Sequence, residues 1–455
     1  RVLRSATVAD VVVVGAGVMG ASIALELQRA GRSVVVVDRG DAVGAGSTSS
    51  SSAVVRFNYS TLAGVTAAWE SAQRWADWAG HLGLDGTRAP ETDVEGSTEG
   101  HGPLATFVRC PMLFLEPPDF PRMDATILLS TVGVPFEVLD EDELTHRYPV
   151  LDTGRFHPPR RPDDPKFGHG PFGRLDAVLT DGGGFIDDPG LAAVNLADAA
   201  RRHGCEVRLR TEVVGVPRTP SGRVAGVALA DGMVIEAPVV VNAAGPWSAG
   251  LNRMAGVFAG PEDGAVANRP MRQEVHVVEA PTGFGLDDGG AMVADLDLGY
   301  YTRPQAGGTL LVGGVEPDCD PLEWVDDPDE VAPAPTVTCF EAQVWRLARR
   351  LPDLAVPHRP TGLTGVYDVT PDWVPIYDRT SLDGFYVAIG TSGNQFKNAP
   401  LVGQVVRDLV DACEAGHDHD ADPVTTWCDR IDRPLDIGAF SRLRSGSATT
   451  GTVLG

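Results

Sequence analysis

Three glycines and one aspartate near the start of the chain have the types and spacing to seat an anion. Residues 15–20 read GAGVMG, and Asp38 lies 18 positions beyond Gly20. In such a motif Gly15 permits a tight turn, Gly17 lets the backbone approach a pyrophosphate, and Gly20 lets a helix close on a strand. A helix starting there turns open N–H groups and a partial positive charge toward phosphate. Asp38 can accept hydrogen bonds from ribose hydroxyls, and its charge disfavours a 2′-phosphate. This is the chemistry of a dinucleotide seat. The plainer alternative is a tight turn with no ligand. In a chain with 53 glycines the motif alone is weak, and its flanks give it force.

Those flanks are the elements that must position it. Val11–Val14 is a continuous β-branched run, as a strand buried on both faces requires. Residues 21–30 read as a helix with Ile23, Ala24 and Leu27 on one stripe and Gly31 as its stop. Val34–Val37 is the next strand, which completes a strand–turn–helix–strand unit. A helix near 64–80 carries Trp69, Trp75 and Trp78. Residues 85–105 and 152–178 are rich in Gly, Pro, Asp and His and read as long loops or insertions. A second α/β section starts near 183 and runs to the strand VVVNAAG. The hairpin-like VAGVALADGMVIEA lies within it. Short runs between 268 and 325, such as RQEVHVV, YYTRP and TLLVGG, read as antiparallel sheet. GFYVAIGTSGNQFKNAPLVGQVVRDLVDAC is again strand, turn and helix. The last 20 residues are Ser/Thr/Gly-rich and are expected to fray.

Dinucleotide-fold pieces thus stand at the start, middle and end, with different material between them. Two interleaved domains are expected. One takes 1–84, 180–265 and 358–415 and binds the cofactor. The other takes 85–179 and 266–357 and binds substrate, and 416–455 is a C-terminal extension.

Charge narrows the partners. With 37 Lys and Arg against 62 Asp and Glu, the net charge is −25. That disfavours nucleic acid and anionic membrane surfaces, both bound through cations. An anionic substrate would need a local cationic pocket. No run of about 18 apolar residues is present, so no membrane-crossing helix is expected. The six cysteines form no CxxC pair and no Cys/His cluster of zinc spacing. Reduced thiols, a cytoplasmic location and no metal are the expectations.

Several longer segments resemble known flavoproteins. VVVNAAGPWS is similar to the strand and turn where a glutathione-reductase-type fold returns to FAD, and GFYVAIGTSGNQFKNAP resembles the element that reaches the flavin ring. With GSTSSSSAVVRFNYS, GGFIDDPGL, YYTRPQAGGTLLVGG and GVYDVTPDWVPIYD, they make an ordered match over roughly residues 8–415. The chain resembles the D-amino-acid oxidase superfamily, in its sarcosine oxidase and dimethylglycine dehydrogenase branch. The resemblance implies an α/β fold, with a glutathione-reductase-type FAD-binding Rossmann domain interleaved with an antiparallel-sheet substrate domain. It implies FAD contacts from Gly15, Gly17, Val18, Met19, Gly20, Asp38 and Arg39, then Ser47 and Thr48. Val213, Ala244, Gly245 and Trp247 would follow. Gly365, Gly393, Asn394, Gln395, Phe396 and Lys397 would close the set.

On the same resemblance, Arg56 falls on the family arginine that grips a substrate carboxylate, and Lys397 on the lysine that shares the task. Tyr301 and Tyr367 match pocket aromatics. Departures matter too. Gly365 stands where relatives carry a flavin-linking cysteine, and residues 49–52 are all Ser where others carry a linking histidine, so FAD is expected to bind without a covalent bond. Leu311 replaces a lysine that assists reaction with O₂, and Val315 replaces a pocket histidine.

The reaction implied is oxidation of a C–N bond in a carboxylated amine, by hydride transfer to flavin N5 with an imine as product. Electrons would pass to O₂ or another acceptor, and the chain could work as a homo-oligomer or with a partner subunit. The rivals are a non-catalytic FAD-binding subunit or assembly protein of the same superfamily, and an NAD-dependent dehydrogenase.

Overall fold

The computed structural model describes residues 7–84, 102–117, 122–264, 267–447 and 449–454. Most of the 85–105 loop therefore lies outside the described residues.

The valine runs form the centre of a six-stranded sheet. Its order is Glu206–Arg208, Val34–Val37, Val11–Val14, Val239–Asn242, Phe385–Ile389 and Ile376–Arg379. All neighbours are parallel except the last pair. Period-two alternation sends the valines to two cores. Val11, Val13, Val34 and Val36 meet a layer containing the helices Val18–Arg29, Pro189–Arg202 and Ala399–Glu414. Val12, Val14, Val35 and Val37 meet a small sheet containing Val213–Gly215, Gly226–Leu229 and Val234–Glu236. Both faces are covered, which is why no polar residue interrupts VVVV.

A nine-stranded sheet supplies the second half. It includes Arg269–Glu279, Thr309–Gly314, Tyr300–Gln305 and Met292–Asp295 in adjacent antiparallel register. One pairing, Met292–Asp295 with Met112–Leu115, is parallel. Gly362–Val369 pairs along Arg269–Glu279, so this strand belongs to the large sheet. That corrects the assignment of the whole of 358–415 to the cofactor half. The chain crosses between the sheets within that segment.

Smaller expectations shift as well. The first helix starts at Val18, since the Gly-rich turn itself supplies the first turn. The Trp-bearing helix spans Leu62–Ala76, with Thr61 capping Gly64 N–H, and a short second piece follows at Trp78–His81. The 152–178 stretch is irregular, as expected, but it is pinned. Arg349 donates to the carbonyls of Phe167 and His169, and Arg350 to those of Asp152 and Gly154. These arginines sit on the helix Val337–Arg350, and no residue of the stretch lines the large cavity described below.

The expectation that the last 20 residues fray is overturned through Leu454, apart from Ala448, which is not described. Arg442 is buried against Asp263, Asp378 and Asp420, and Arg444 takes both oxygens of Asp372. Composition marked the segment as too polar to bury. Its two arginines instead find carboxylates on the body of the protein, and Val453 and Leu454 end up buried.

Candidate active site

One cavity of about 510 Å³ runs from the Gly-rich turn to the inner end of the large sheet. Every residue expected to contact cofactor or substrate lines it, apart from Gly20. Gly20 lies behind the lining. A Cβ there would sit 1.9 Å from the Gly15 carbonyl oxygen, so its role is close packing of helix on turn.

At the outer end the backbone does the positioning. Gly15 has φ +114°, and a Cβ on it would meet the Ala243 carbonyl oxygen at 2.3 Å. The carboxylate of Asp38 accepts from Ala16 N–H at 2.6 Å and Gly40 N–H at 2.7 Å. Asp38 therefore holds the turn as well as lining the cavity, and each oxygen keeps a further lone pair for a ligand hydroxyl. Val18 N–H, at the helix start, donates to Thr48 Oγ at 3.1 Å. Arg39 pairs with Asp329 and lies 4.7 Å over the Trp247 ring, while Trp247 Nε1 donates to Asp329 at 3.1 Å. Arg39 and Trp247, with Val213, Ala244 and Gly245, line the cavity beside the aspartate. A turn with no room for a Cβ at Gly15 or Gly20, a helix N-terminus and a carboxylate with lone pairs to spare together fit an adenine dinucleotide.

Midway, Ser47 Oγ donates to the Val366 carbonyl, tying the Ser-rich segment to the large sheet. A Cβ on Gly365 would lie 3.2 Å from the Ser50 Cβ, so the two expected linkage positions do face each other. Among the described residues no cysteine or histidine lines the cavity.

The inner end is built from side chains. Arg56 is buried, and its guanidinium donates to the carbonyls of Asn58 and Val453, the latter at 2.8 Å. Lys397 is buried and donates to Tyr59 Oη at 2.9 Å and the Asn394 carbonyl at 2.6 Å. Tyr59, which the sequence reading passed over, stands between the two cations, with Arg56 4.7 Å and Lys397 5.1 Å from its ring centre. Trp75 Nε1 donates to the Lys397 carbonyl and Phe396 stacks on Trp75, which fixes the backbone that carries the lysine.

Among the described residues no carboxylate pairs with either cation. Burial, and then the charge of Arg56, pushes the Lys397 ammonium well below its ordinary pKa. Burial lowers Arg56 as well, partly offset by the phenols of Tyr59 and Tyr367.

Tyr301 and Tyr367 stand on the cavity-facing side of the large sheet with Gln273, Val275 and Gly365. Tyr301 Oη lies 2.5 Å from Ser52 Oγ, and burial raises its pKa to about 12. Glu316 is a second residue the sequence did not single out. It is enclosed near Tyr367, accepts from Gln273 Nε2 at 3.0 Å and from Val453 N–H at 2.8 Å, and burial pushes its pKa up to about 8. Leu311, opposite Arg303 in register, is buried outside the lining, and Val315 packs in the core. Arg303 is the cation of that patch, 4.1 Å over the Phe185 ring.

Glu274, His276 and Cys339 form a cluster with metal-ligand chemistry on the opposite face of the same strand. Glu274 is already taken up by Arg272 and by the N–H and hydroxyl of Thr336. No helix among the described residues is long and apolar enough to cross a membrane.

Comparison with known proteins identifies the family. The family described as "FAD dependent oxidoreductase" matches residues 10–409. A Xenopus laevis protein named FAD-dependent oxidoreductase domain-containing protein 1 is 26% identical over 438 residues, covering 88% of this chain and 79% of that one. The 4-methylaminobutanoate oxidase (formaldehyde-forming) of Paenarthrobacter nicotinovorans is 26% identical over 423 residues. That match covers 90% of this chain and 44% of that protein's length. Among solved structures, L-proline dehydrogenase from P. horikoshii superposes with a TM-score of 0.70 at 21% identity. It covers 91% of this chain and 100% of its own, a likeness of fold.

Proposed function

Because this chain belongs to the FAD-dependent oxidoreductase family, we propose that it oxidises the C–N bond of an amine that carries a carboxylate. The observation that carries this reading is the pair of buried cations, Arg56 and Lys397, facing one cavity without a carboxylate partner among the described residues. A buried guanidinium without a counter-charge is costly, and a carboxylate ligand removes that cost through a planar, charge-assisted contact. The 4-methylaminobutanoate oxidase, whose named substrate is an amino acid methylated on nitrogen, agrees with the class.

FAD, when bound, would supply the two-electron redox chemistry, with O₂ or another acceptor taking the electrons. The chain's own residues bind and orient. Gly15, Gly17, Val18 and Met19, with Asp38, Arg39, Thr48 and Trp247, would hold the adenosine and pyrophosphate end. Gly365 and residues 393–396 would border the ring end. Arg56 and Lys397 take the substrate carboxylate, while Tyr301 and Tyr367 wall the amine and exclude water. Substrate amine loses a hydride equivalent and becomes an imine, and water hydrolyses it in solution. No nucleophilic side chain is required.

Anaerobic bleaching of the flavin by a panel of α-amino acids, N-methyl amino acids and cyclic imino acids tests the reading. Expected is bleaching by a carboxylated amine and none by its decarboxylated analogue. A protein that binds FAD but is bleached by no amine is a non-catalytic subunit. FAD is held without a covalent bond on this reading, since Gly365 and Ser49–Ser52 offer no linking atom. Acid precipitation should leave the yellow colour in the supernatant, and colour retained in the washed pellet defeats that part.

A further inference from the structure

Behind the cavity, on the face of the large sheet turned away from it, three side chains with metal-ligand chemistry meet. Glu274 and His276 stand on the strand Arg269–Glu279, and Cys339 lies in the first turn of the helix Val337–Arg350. One ligand atom from each falls within 4.8 Å of the others. The thiol comes from a different element than the other two, so no motif of zinc spacing announces the group in sequence.

His276 is the telling member. It is fully buried, and neither ring nitrogen has a hydrogen-bond partner. Its Nε2 faces Glu274 Oε2 from 3.7 Å, too far for a hydrogen bond. Buried ring nitrogens are normally bonded, and one left open is costly unless a ligand completes it.

The other two are held in place by their neighbours. Glu274 Oε1 accepts from Arg272 and from Thr336 Oγ1 at 2.8 Å, and Oε2 accepts from Thr336 N–H at 2.7 Å. Those bonds use three of the four lone-pair directions, and the one left is on Oε2, the oxygen that faces His276. Thr336 Oγ1 accepts in turn from Cys339 N–H at 3.2 Å, which caps the helix and fixes the backbone that carries the thiol. The Gln343 amide lies 3.2 Å from Cys339 Sγ. Cys339 is partly exposed, which gives an ion a path from solvent.

We propose that Glu274, His276 and Cys339 form a structural site for a divalent cation of the Zn²⁺ type, which staples the helix Val337–Arg350 to the back of the large sheet. The donor set selects the ion. A thiolate, an imidazole and a carboxylate suit Zn²⁺, whereas Mg²⁺ and Ca²⁺ take oxygen ligands. Such ligand atoms stand roughly 3.3–3.6 Å apart around tetrahedral Zn²⁺, so these three need draw in by no more than about 1.5 Å. Binding exchanges the Cys339 thiol proton for the metal, and the proton leaves to solvent. The fourth position is left to water. The ion ties the helix that carries Arg349 and Arg350, and with it the 152–178 stretch, to a strand that presents Gln273 and Val275 to the cavity.

The test uses the FAD-loaded protein freed of metal with a chelator. Co²⁺ added as a probe should bind with one equivalent per chain and give the charge-transfer absorption of a Co²⁺–thiolate bond. Zn²⁺ should displace it, and Mg²⁺ should not. Zn²⁺ should also protect Cys339 from iodoacetamide, mapped by peptide mass, while the partly exposed Cys319 and Cys413 react alike with and without it. Cys339→Ser should lose the absorption and keep its flavin. His276→Ala should weaken Zn²⁺ binding by more than the roughly 10- to 100-fold that loss of an outer-shell partner costs. Absence of the thiolate band, its survival in Cys339→Ser, protection of a cysteine other than Cys339, or displacement of Co²⁺ by Mg²⁺ overturns the proposal. So does unchanged Zn²⁺ affinity in folded His276→Ala. If either variant fails to fold, the Co²⁺ band and the protection map of the intact chain decide by themselves.

Discussion

The two ends of the cavity are made by different means. At the outer end the lining is led by backbone amides and one aspartate from a single strand–turn–helix–strand unit within residues 11–38, with Arg39, Thr48 and Trp247 beside it. At the inner end they are side chains brought together from afar. Tyr59 and Lys397 meet across 338 positions, and Arg56 and Val453 across 397. The outer end lines its cavity with no fully buried charge, Asp38 being half-buried and Arg39 exposed, and a helix terminus supplies partial charge through dipoles already in place. The inner end buries Arg56 and Lys397 and meets them with a phenol and main-chain carbonyls. The first arrangement tolerates no change of backbone shape. The second depends on charge as well as on shape, since a Cβ on Gly393 would lie 2.3 Å from the Tyr367 ring.

The sharpest way to break this contrast is at Gly20. A Cβ there would overlap the Gly15 carbonyl oxygen at 1.9 Å, both atoms being held by backbone. Gly20→Val should cost more than about 4 kcal/mol and remove either FAD binding or the fold. Normal flavin content in a soluble variant would show the turn to be far more pliable than its contacts imply.

Arg56→Ala probes the inner end. It should lower kcat/KM by roughly 30-fold to several thousand-fold, or about 2–5 kcal/mol, while FAD stays bound. Arg56→Lys should recover only part of the loss, because a point charge cannot reproduce the planar fork. Steady-state kinetics with the amine identified by bleaching decides. An intact kcat/KM in Arg56→Ala would erase the distinction between the ends.

Asp38→Ala sharpens the comparison at the outer end. The loss of a charged acceptor should weaken FAD retention roughly 10- to 100-fold, on the order of 1.5–3 kcal/mol. The measurement is FAD affinity of the apoprotein by fluorescence quenching. Asp38 also holds Ala16 N–H, so an effect confined to folding stability would point to the turn rather than the ribose.

A pH-dependent effect concerns Glu316, a burden of the inner end. Burial raises its pKa from 4.5 to about 8. The folded protein therefore binds more protons than the unfolded chain between those values, and stability falls as pH rises through that window. Glu316→Gln should remove this fall, gaining on the order of 5 kcal/mol at pH 9, about 3 kcal/mol at pH 7 and little at pH 4. Denaturant unfolding of the two proteins at pH 4, 7 and 9 checks it. A parallel pH dependence in the variant would mean that Glu316 ionises freely in the folded state.

What could be read in advance follows the same division. The runs Val11–Val14 and Val34–Val37, the Gly-rich turn, Asp38 and the antiparallel strands around RQEVHVV, YYTRP and TLLVGG were legible. Each is specified by neighbours in sequence through side-chain period or glycine geometry. The α/β class and a dinucleotide seat follow from them, whereas FAD as the occupant came from the resemblance of VVVNAAGPWS and GFYVAIGTSGNQFKNAP. Arg56, Lys397, Tyr301 and Tyr367 were legible only by resemblance, since a lone arginine or tyrosine has no local signature. Tyr59 was within reach, three positions after Arg56 in RFNYS, because an aromatic ring that close to a buried cation is a natural partner for it.

The rest was decided by tertiary structure. Nothing local marks Gly362–Val369 for the large sheet rather than the cofactor half, because pairing is settled by which edge is open. Nothing local marks Glu316 as a carboxyl raised toward neutrality, because its pKa depends on walls drawn from other strands. The Ser/Thr/Gly composition of the final segment argued for disorder, and by itself that argument is sound. What composition omits is a partner. Asp372, Asp378 and Asp420 give Arg442 and Arg444 charges to pair with, and Arg56 gives Val453 a donor. Backbone-encoded features are short-range and survive in the sequence. Charge balance in a buried site is long-range and exists only once the chain has folded around it.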